Sequence, residues 1–541
     1  MVDTENTLLF INGRFFNGAD SAASFSTAMV VKDGKIAYIG PSDSPEIQMY
    51  KNTAVTQDLR NSFILPGFLD GHCHFLLLGQ ALHKVKLDGC NDLSEIRQRI
   101  KTYAFENPEK ERILCSGWMH SMTNGEAKAS MLDDLDPRPI FIDSKDLHSA
   151  WCNSAALAEM GVQNMADPAG GSIERDEIGN PSGLLSEAAA ILIVWPHLAK
   201  VATMEEKKGA LRAAVAAYHQ VGVTGCIDMA MDENAWEAIL ALREELGGHL
   251  PLRIAAHWIV LPGEGEAHRL EQVTRAVELF HQFNKETSPD LRIVGIKIIC
   301  DGVIDACTAA LTEPHSHNGE SPDPIWTPDM LAPVVKKACE AKLQCALHAI
   351  GDQAVHNAIN ALEAYGKPGQ RHRIEHLELT SPQDAARLGK LGITASVQPV
   401  HADPAILRAW PKLLGPERLK RAFAYKEFAD NGAVLAIGSD CPTAPHAPMS
   451  NLYVATTRKS ARQPDAGDLP VNENFRLGVA QALSAATRGT AWSCFEEERL
   501  GSLEVGKEAD FVVVDMSFEA EDLLHAKVRQ TWFGGKQVFA V

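Results

Sequence analysis

The chain of 541 residues lacks the features that direct a protein to a membrane or to a nucleic acid. No apolar run reaches the roughly 18 residues that a membrane span needs. Residues 1–6 are polar and acidic, without the basic segment and apolar stretch of a secretory signal. Lysine and arginine number 51 against 70 acidic residues, a formal charge of -19. This balance argues against a nucleic-acid or anionic-membrane partner, which would require a basic surface, although it does not identify a substrate.

The chain also lacks the cysteine spacing of a disulfide framework or a zinc ribbon. Its eleven cysteines are an odd number and contain no C-x-x-C pair. Scattered, unpaired thiols are typical of a reducing cytosol, so we expect free cysteines and a cytoplasmic location. The length allows two or three domains, and a hydrophobic content of 45% is ordinary for a soluble globular protein.

Both ends of the chain are rich in short β-strand patterns. Asn12-Gly13 and Asp33-Gly34 separate apolar runs near the N-terminus, and Gly534-Gly535 separates two near the C-terminus. Such dipeptides between apolar runs are typical of β-hairpins. We therefore predict one small β-sandwich domain built from residues 1–62 and 488–541. Two independent β appendages are the alternative.

The middle of the chain, residues 63–487, alternates apolar strand patterns with helical stretches. This order predicts the α/β class, with a parallel sheet covered by helices. Eight strands are expected near Ile64–Asp70, Val223–Asp228, Leu252–Trp258, Val294–Ile299, Gln344–His348, His372–His376, Ile393–Gln398 and Val434–Ile437. Eight such units predict a (β/α)8 TIM-like barrel, whose active site lies at the C-terminal ends of the strands.

The connection after the first barrel strand is too long for a single helix. Residues from about 77 to 200 therefore form an insertion, with strand candidates of its own at Ile113–Ser116 and Pro139–Asp143. An insertion beside a barrel's active-site face commonly acts as a lid or a substrate wall.

Two histidines follow the first barrel strand, in the run Gly71-His72-Cys73-His74. Side chains alternate in a strand, so His72 and His74 share one face and offer a pair of imidazole ligands. Short His-x-His matches are often incidental, so the assignment depends on the rest of the chain.

Further polar residues stand at the ends of later strands. Lys297 lies in an apolar fourth strand, His348 ends the fifth, His376 ends the sixth and Asp440 follows the eighth. A buried lysine is costly as a bare cation, and carbamylation would turn it into an anionic oxygen ligand. Singly, each residue has a structural interpretation: an ion-paired or outward-reaching lysine, hydrogen-bonded histidines, or an aspartate that caps a helix. Six potential ligands at one end of one barrel favour a metal centre.

The order His-x-His, Lys, His, His, Asp resembles the amidohydrolase superfamily of metal-dependent hydrolases. More narrowly, the chain resembles amidohydrolase family 3, which includes YtcJ-like proteins and N-substituted formamide deformylase. The segments that carry the resemblance are residues 63–74, 148–154, 181–187, 301–309, 347–352, 373–376, 438–442 and 501–510.

The resemblance implies a binuclear centre. His72, His74 and Asp440 would bind the more buried metal, His348 and His376 the second, and carbamylated Lys297 would bridge them. Two zinc ions are the first expectation, although iron and manganese accept the same ligands. Asp440 would take a proton from the metal-bound water and deliver it to the leaving nitrogen.

The candidates for substrate contact lie mainly in the insertion. Relatives often have an acidic residue after a Gly-Trp motif, whereas this chain has Gly117-Trp-Met-His120. The candidates are Trp118, His120, His148, Asn153 and Glu187, with core packing as the alternative for Trp118. Asp301 and Asp352 are candidates for orienting the metal ligands.

The predicted function is hydrolysis of a carbon–nitrogen bond, other than a peptide bond, in a linear amide or an N-acyl or N-formyl compound. Cyclic amide hydrolysis and metal-dependent decarboxylation are the alternatives among enzymes. A regulatory protein that keeps the fold without catalysis is the alternative from another class, and such a protein would be expected to have lost ligands. The predicted partner is a small-molecule substrate, and a homo-oligomer is left open.

Overall fold

The computed structural model describes residues 7–18, 24–145, 149–168, 171–187, 189–263, 265–467 and 469–541. The chain divides into two compact units. The first comprises residues 1–75, 215–232 and 243–541, and the second comprises residues 76–214 and 233–242.

Eight parallel strands form the centre of the first unit. They are β1 (Phe68–Cys73), β2 (Val223–Met231), β3 (Arg253–Ile259), β4 (Leu291–Ile299), β5 (Gln344–Ala349), β6 (Arg373–His376), β7 (Thr394–Val397) and β8 (Leu435–Ile437). Each strand pairs with the next in chain order. A parallel bridge between Cys73 and Cys441 joins β1 to the segment after β8, so the sheet nearly closes. The predicted (β/α)8 barrel is confirmed.

Helices alternate with these strands along the chain. The longer ones are Met204–Gln220, Glu233–Glu245, Glu266–Gln282, Pro328–Glu340, Asp352–Tyr365, Pro382–Leu391 and Pro448–Thr457. Shorter ones are Trp410–Leu414, Pro416–Leu419, Tyr425–Asp430, Val479–Ser484 and Thr490–Ser493. Two of the longer helices, Pro328–Glu340 and Pro382–Leu391, begin with proline after a capping hydroxyl. Thr327 accepts a hydrogen bond from the Met330 amide, and Ser381 accepts one from the Asp384 amide.

Strands from both ends of the chain form one further sheet in the first unit. They are Thr7–Phe16, Phe25–Lys32, Lys35–Gly40, Val55–Asp58, Phe63–Pro66, Phe511–Asp515, Lys527–Phe533 and Lys536–Ala540, and the helix Pro45–Tyr50 lies among them in sequence. Aromatic side chains from the two ends pack together on this sheet. The ring of Phe10, from the N-terminal end, lies 5.1 Å from that of Phe511 and 5.0 Å from that of Trp532, both from the C-terminal end. The β-rich ends therefore share one core, as predicted.

Two local predictions at the N-terminal end were wrong. Asn12-Gly13 does not end a strand: Asn12 takes a positive φ of 55° inside Thr7–Phe16, and the pairing register shifts there. The apolar run expected as the first barrel strand is two strands, which separate at Gly67. A Cβ at Gly67 would collide with the side chain of Thr224, so the change of sheet requires glycine.

The second unit contains the predicted insertion and has a sheet of its own. Its strands, in spatial order, are Gly171–Arg175, Pro181–Glu187, Ser149–Cys152, Ile140–Ser144, Ile113–Trp118 and Val85–Lys86. Its helices include Leu93–Glu106, Ser154–Met160 and Trp195–Val201, while Phe75–Leu82 begins at its border. Both strand candidates of the insertion are confirmed. Among the described residues, no helix of either unit is long and apolar enough to cross a bilayer.

We expect Gly67→Ala to destabilise the first unit. The added methyl overpacks the contact with Thr224, which typically costs about 1–3 kcal/mol. The matched control is Gly209→Ala within the helix Met204–Gln220, where no atom lies within 4 Å of the added Cβ. That control should raise stability by up to about 1 kcal/mol, since alanine favours helix. Denaturant unfolding compares the two variants, and equal midpoints for Gly67→Ala and wild type would contradict the packing argument.

Candidate metal centre

The six predicted ligands converge at the C-terminal ends of the barrel strands. The ring of His376 lies 4.9 Å from that of His72 and 4.4 Å from that of His348. One ligand atom from each of His72, His74 and Asp440 lies within 4.8 Å of the others. Oδ1 of Asp440 is 3.5 Å from Nε2 of His72 and 3.2 Å from Nε2 of His74.

A buried carboxylate fixes the orientation of His72. Nδ1 of His72 donates to Oε2 of Glu375 at 2.7 Å, which leaves Nε2 turned toward Asp440. Arg373 in turn donates from Nε to Oε1 of Glu375 at 2.8 Å. Burial alone would raise the pKa of Glu375, but Arg373 and His72 hold it well below its usual range. The ring of His72 is therefore locked with a lone pair facing the centre.

Asp70 ties the two ends of the barrel sheet together. Its carboxylate accepts hydrogen bonds from the Ser439 amide at 2.8 Å and from the Tyr218 hydroxyl at 3.0 Å. The Asp440 amide also donates to the His72 carbonyl at 2.7 Å. These bonds fix the segment that carries Asp440 beside the segment that carries His72 and His74.

The site offers neutral nitrogen atoms and one anion. Burial, with the amine of Lys297, lowers the pKa of His72 to about 4 and that of His348 to about 3. Burial would raise the pKa of Asp440, but the imidazoles of His72 and His74 hold it well below its usual range. Neutral imidazole and ionised carboxylate are the forms that bind a divalent cation. A buried Nδ1 of His376 with no hydrogen-bond partner among the described residues also fits a site that a cation completes.

Lys297 lies in β4 with 2% of its surface exposed. Burial lowers the pKa of its amine, although Glu375 and Asp440 oppose the shift. A buried lysine that loses its charge readily is the form that carbon dioxide modifies. Lys297 thus fits a carbamylated ligand. Its carbamate would supply a bridging oxygen ligand that the histidines and Asp440 do not provide.

Asp301 and Asp352 occupy different positions. Oδ1 of Asp301 lies 3.6 Å from Nε2 of His348, and its carboxylate also accepts the Ile350 and Gly351 amides. Asp352 instead binds the amide and hydroxyl of Thr312. Asp301 therefore stands beside a candidate ligand, whereas Asp352 anchors a loop.

Two residues of the centre were missed by the sequence analysis. Nδ1 of His401 donates to Oε1 of Glu378 at 3.2 Å, and Nε2 of His401 lies 3.6 Å from Oδ2 of Asp440. His401 follows β7. The sequence assigned ligands to β5, β6 and β8 but none to β7. Its position in Gln398-Pro-Val-His401, just beyond a strand end, was the available signal.

A second group of possible ligands lies at the opposite ends of the strands. It consists of Cys339, Cys345 and His372. Nδ1 of His372 accepts the Cys345 amide at 3.0 Å, so the proton sits on Nε2, which faces Sγ of Cys339 at 3.5 Å. A ring nitrogen that carries a proton does not bind metal. The groups in this cluster are instead hydrogen-bonded to one another.

The substrate-contact candidates belong to the second unit. Trp118 is fully buried, its Nε1 donates to Thr123 at 3.3 Å, and the ring of His120 lies 4.4 Å from its own. The side chain of Asn153 accepts the Ile140 and Ala156 amides, both at 2.9 Å, and so caps a helix. Glu187 is half-buried at the end of its strand. His148 lies outside the described residues.

Comparison with known proteins identifies the family of the chain. A sequence profile described as the amidohydrolase family matches residues 55–539. The chain belongs to the amidohydrolase family. The expected resemblance to this family is confirmed.

Relatives cover almost the whole amidohydrolase chain. It is 30% identical to LONG AFTER FAR-RED 3 of Arabidopsis thaliana over 98% of this chain and 91% of that protein. It is 28% identical to YtcJ of Bacillus subtilis over 95% of this chain and 96% of that protein. It is 24% identical to the N-substituted formamide deformylase of Arthrobacter pascens, covering 94% and 93%.

A solved structure is similar along the same length. It is a metal-dependent hydrolase of Pyrococcus furiosus, 26% identical, with a TM-score of 0.78 over 95% of this chain and 99% of that chain. The match therefore extends over nearly the whole of both chains.

We expect Glu375→Gln to weaken metal binding in this amidohydrolase. The amide keeps the volume but removes the charge that orients His72, and such partners typically contribute about 10–100-fold in affinity. The measurement is competition with a chelator on protein whose fold is checked by circular dichroism.

The matched control is Glu497→Gln, since Glu497 also pairs with an arginine, Arg371, at 2.6 Å but is partly exposed. Metal affinity equal to wild type in Glu375→Gln would show that Glu375 serves the barrel core alone.

Proposed function

We propose that this amidohydrolase uses a metal-activated water to cleave a carbon–nitrogen bond, other than a peptide bond, of a linear amide or an N-acyl or N-formyl compound. The observation that carries the proposal is the convergence of six potential ligands, one of them a buried lysine, at one end of the barrel. The similarity to an N-substituted formamide deformylase supports the substrate class.

The proposed centre holds two divalent metal ions, with zinc as the first expectation because imidazole and carboxylate suit it. His72, His74 and Asp440 would hold one ion, His348 and His376 the other, and carbamylated Lys297 would connect them. Bound metal supplies two effects: it polarises the carbonyl group of the substrate and lowers the pKa of water toward neutrality.

Asp440 is proposed as the general base and then the general acid. Its carboxylate is ionised, and both of its oxygens face imidazoles, at 3.2 Å from Nε2 of His74 and 3.6 Å from Nε2 of His401. Its backbone has a positive φ of 57°, held by the bond from its amide to His72. The side chain is thus fixed where it can take a proton from water and pass it to the leaving nitrogen.

The residues proposed for substrate contact lie in the second unit. His120 is exposed and Glu187 is half-buried, so both keep side chains outside that unit's core. Trp118 and Asn153 serve the core and a helix cap, which makes them weaker candidates. His148 remains a proposal from the sequence.

Metal content tests the bridged centre. We expect about two metal ions per chain in wild type and fewer in Lys297→Ala, because the bridging ligand is lost. The matched control is Lys507→Ala, another buried lysine, whose amine binds Ser502 in the terminal region. About one ion per chain, unchanged in Lys297→Ala, would favour a mononuclear hydrolase and leave Lys297 a structural residue.

Turnover tests the role of Asp440. We expect Asp440→Asn to lower kcat by about 10²–10⁴-fold on N-formyl and N-acyl amines, since the amide cannot accept the proton. Asp430→Asn is the control, because Asp430 is exposed and forms a surface ion pair with Lys426. A near-normal kcat in Asp440→Asn would remove the general-base assignment. Turnover of cyclic amides alone would overturn the linear substrate class.

A further inference from the structure

The seventh barrel strand brings an additional imidazole to the centre. Nε2 of His401 points at the same carboxylate, Asp440, that His72 and His74 face. We propose that His401 is a further ligand of the metal centre, on the side of His376, and that Glu378 positions it. The inference rests on the proposed metal centre and extends it beyond the six ligands that the family resemblance implies.

The hydrogen bond to Glu378 decides which nitrogen of His401 is free. Nδ1 donates its proton to Oε1 of Glu378 at 3.2 Å, which leaves Nε2 as the nitrogen available to a metal. His72 is held in the same way, with Nδ1 on Glu375 at 2.7 Å. A carboxylate on one ring nitrogen and a metal on the other is the usual arrangement of ligating histidines.

The geometry around Asp440 is nearly symmetric. Nε2 of His72 lies 3.5 Å from Oδ1, and Nε2 of His401 lies 3.6 Å from Oδ2. Ligands about 2.0–2.2 Å from a tetrahedral zinc ion are separated by about 3.4 Å. Both imidazoles therefore stand at the separation that two ligands of one ion adopt, each on its own oxygen of Asp440.

His376 gives a second measure of position. Its ring is stacked with that of His401, with centroids 5.8 Å apart and planes 9° from parallel. One ligand atom from each of His376, Glu378 and His401 lies within 4.8 Å of the others. His401 therefore lies beside the candidate ligand His376 and, through Asp440, beside His72 and His74.

Backbone hydrogen bonds hold the segments that carry both partners. The His401 amide donates to the Gln398 carbonyl at 2.9 Å, and the preceding Val400 amide donates to Oδ1 of Asn451 at 3.0 Å. The Glu378 carbonyl accepts the Phe423 amide at 2.8 Å. A preorganised ligand loses little conformational entropy on binding, so His401 is suited to raise metal affinity.

The test measures metal binding directly. Full-length protein is titrated with Zn²⁺ against a chelator, and the ligand field is read from the absorption spectrum of the Co²⁺-loaded protein. We expect His401→Ala to weaken one of the two binding steps by at least about 10-fold and to change the Co²⁺ spectrum, with the other step kept. We expect Glu378→Gln to weaken the same step by about 10–100-fold. His401→Gln keeps a side chain of similar size, in case the alanine variant does not fold.

The matched control is His356→Ala. Nδ1 of His356 also lies 3.2 Å from a carboxylate, that of Asp384, but the residue is half exposed on a helix and faces none of the candidate ligands. Metal affinity and the Co²⁺ spectrum should be unchanged in this variant.

Each result separates the inference from the proposed function. Wild-type affinities and spectrum in both His401 variants would overturn the inference, and a raised KM with unchanged metal binding would make His401 a substrate contact instead. A lost binding step supports the inference even if no carbon–nitrogen bond is cleaved. If wild type binds no Zn²⁺ or Co²⁺, both the inference and the proposed function are overturned.

Discussion

The buried ion pair between Arg373 and Glu375 is the interaction on which the rest of the centre depends. Both side chains are completely inaccessible to solvent, so each charge needs a full set of partners. Arg373 supplies them by donating to the Gly71 carbonyl at 2.6 Å and to the Ser396 hydroxyl at 2.7 Å. One guanidinium thus connects β6 to the ends of β1 and β7, while its carboxylate partner holds the ring of His72.

This arrangement explains how strands far apart in sequence deliver their ligands in a defined geometry. Parallel strands place their C-terminal ends at one end of the barrel. This fixes the backbone position of each ligand but not the rotamer of its side chain. Hydrogen bonds between backbone amides and buried carboxylates fix the segments that carry the ligands. Asp70 accepts a hydrogen bond from the Ser439 amide, and Asp301 accepts hydrogen bonds from the Ile350 and Gly351 amides beside His348. The carboxylates that do not bind metal therefore do much of the positioning.

The sequence predicted the barrel and the convergence of the six candidates because strand periodicity and order are local signals. It did not separate Phe63–Pro66 from Phe68–Cys73, since one apolar run has the same pattern whether it serves one sheet or two. It assigned no role to Glu375, whose partner His72 lies 303 positions away. His401 lies in a short 3-10 helix, Pro399–Ala402, which is too short for periodicity to tell which way a side chain faces. Contacts of this kind follow from the folded barrel as a whole and from no shorter stretch of the chain.

The centre and the second unit are subject to different constraints. Buried partners in the first unit fix several candidate ligands, among them His72 and Asp440, so a substitution there disturbs charges that have no access to water. The second unit has its own core, which includes Ile96, Trp118 and Ile142. A rigid centre of this type determines the chemistry, since metal geometry and proton transfer tolerate little displacement.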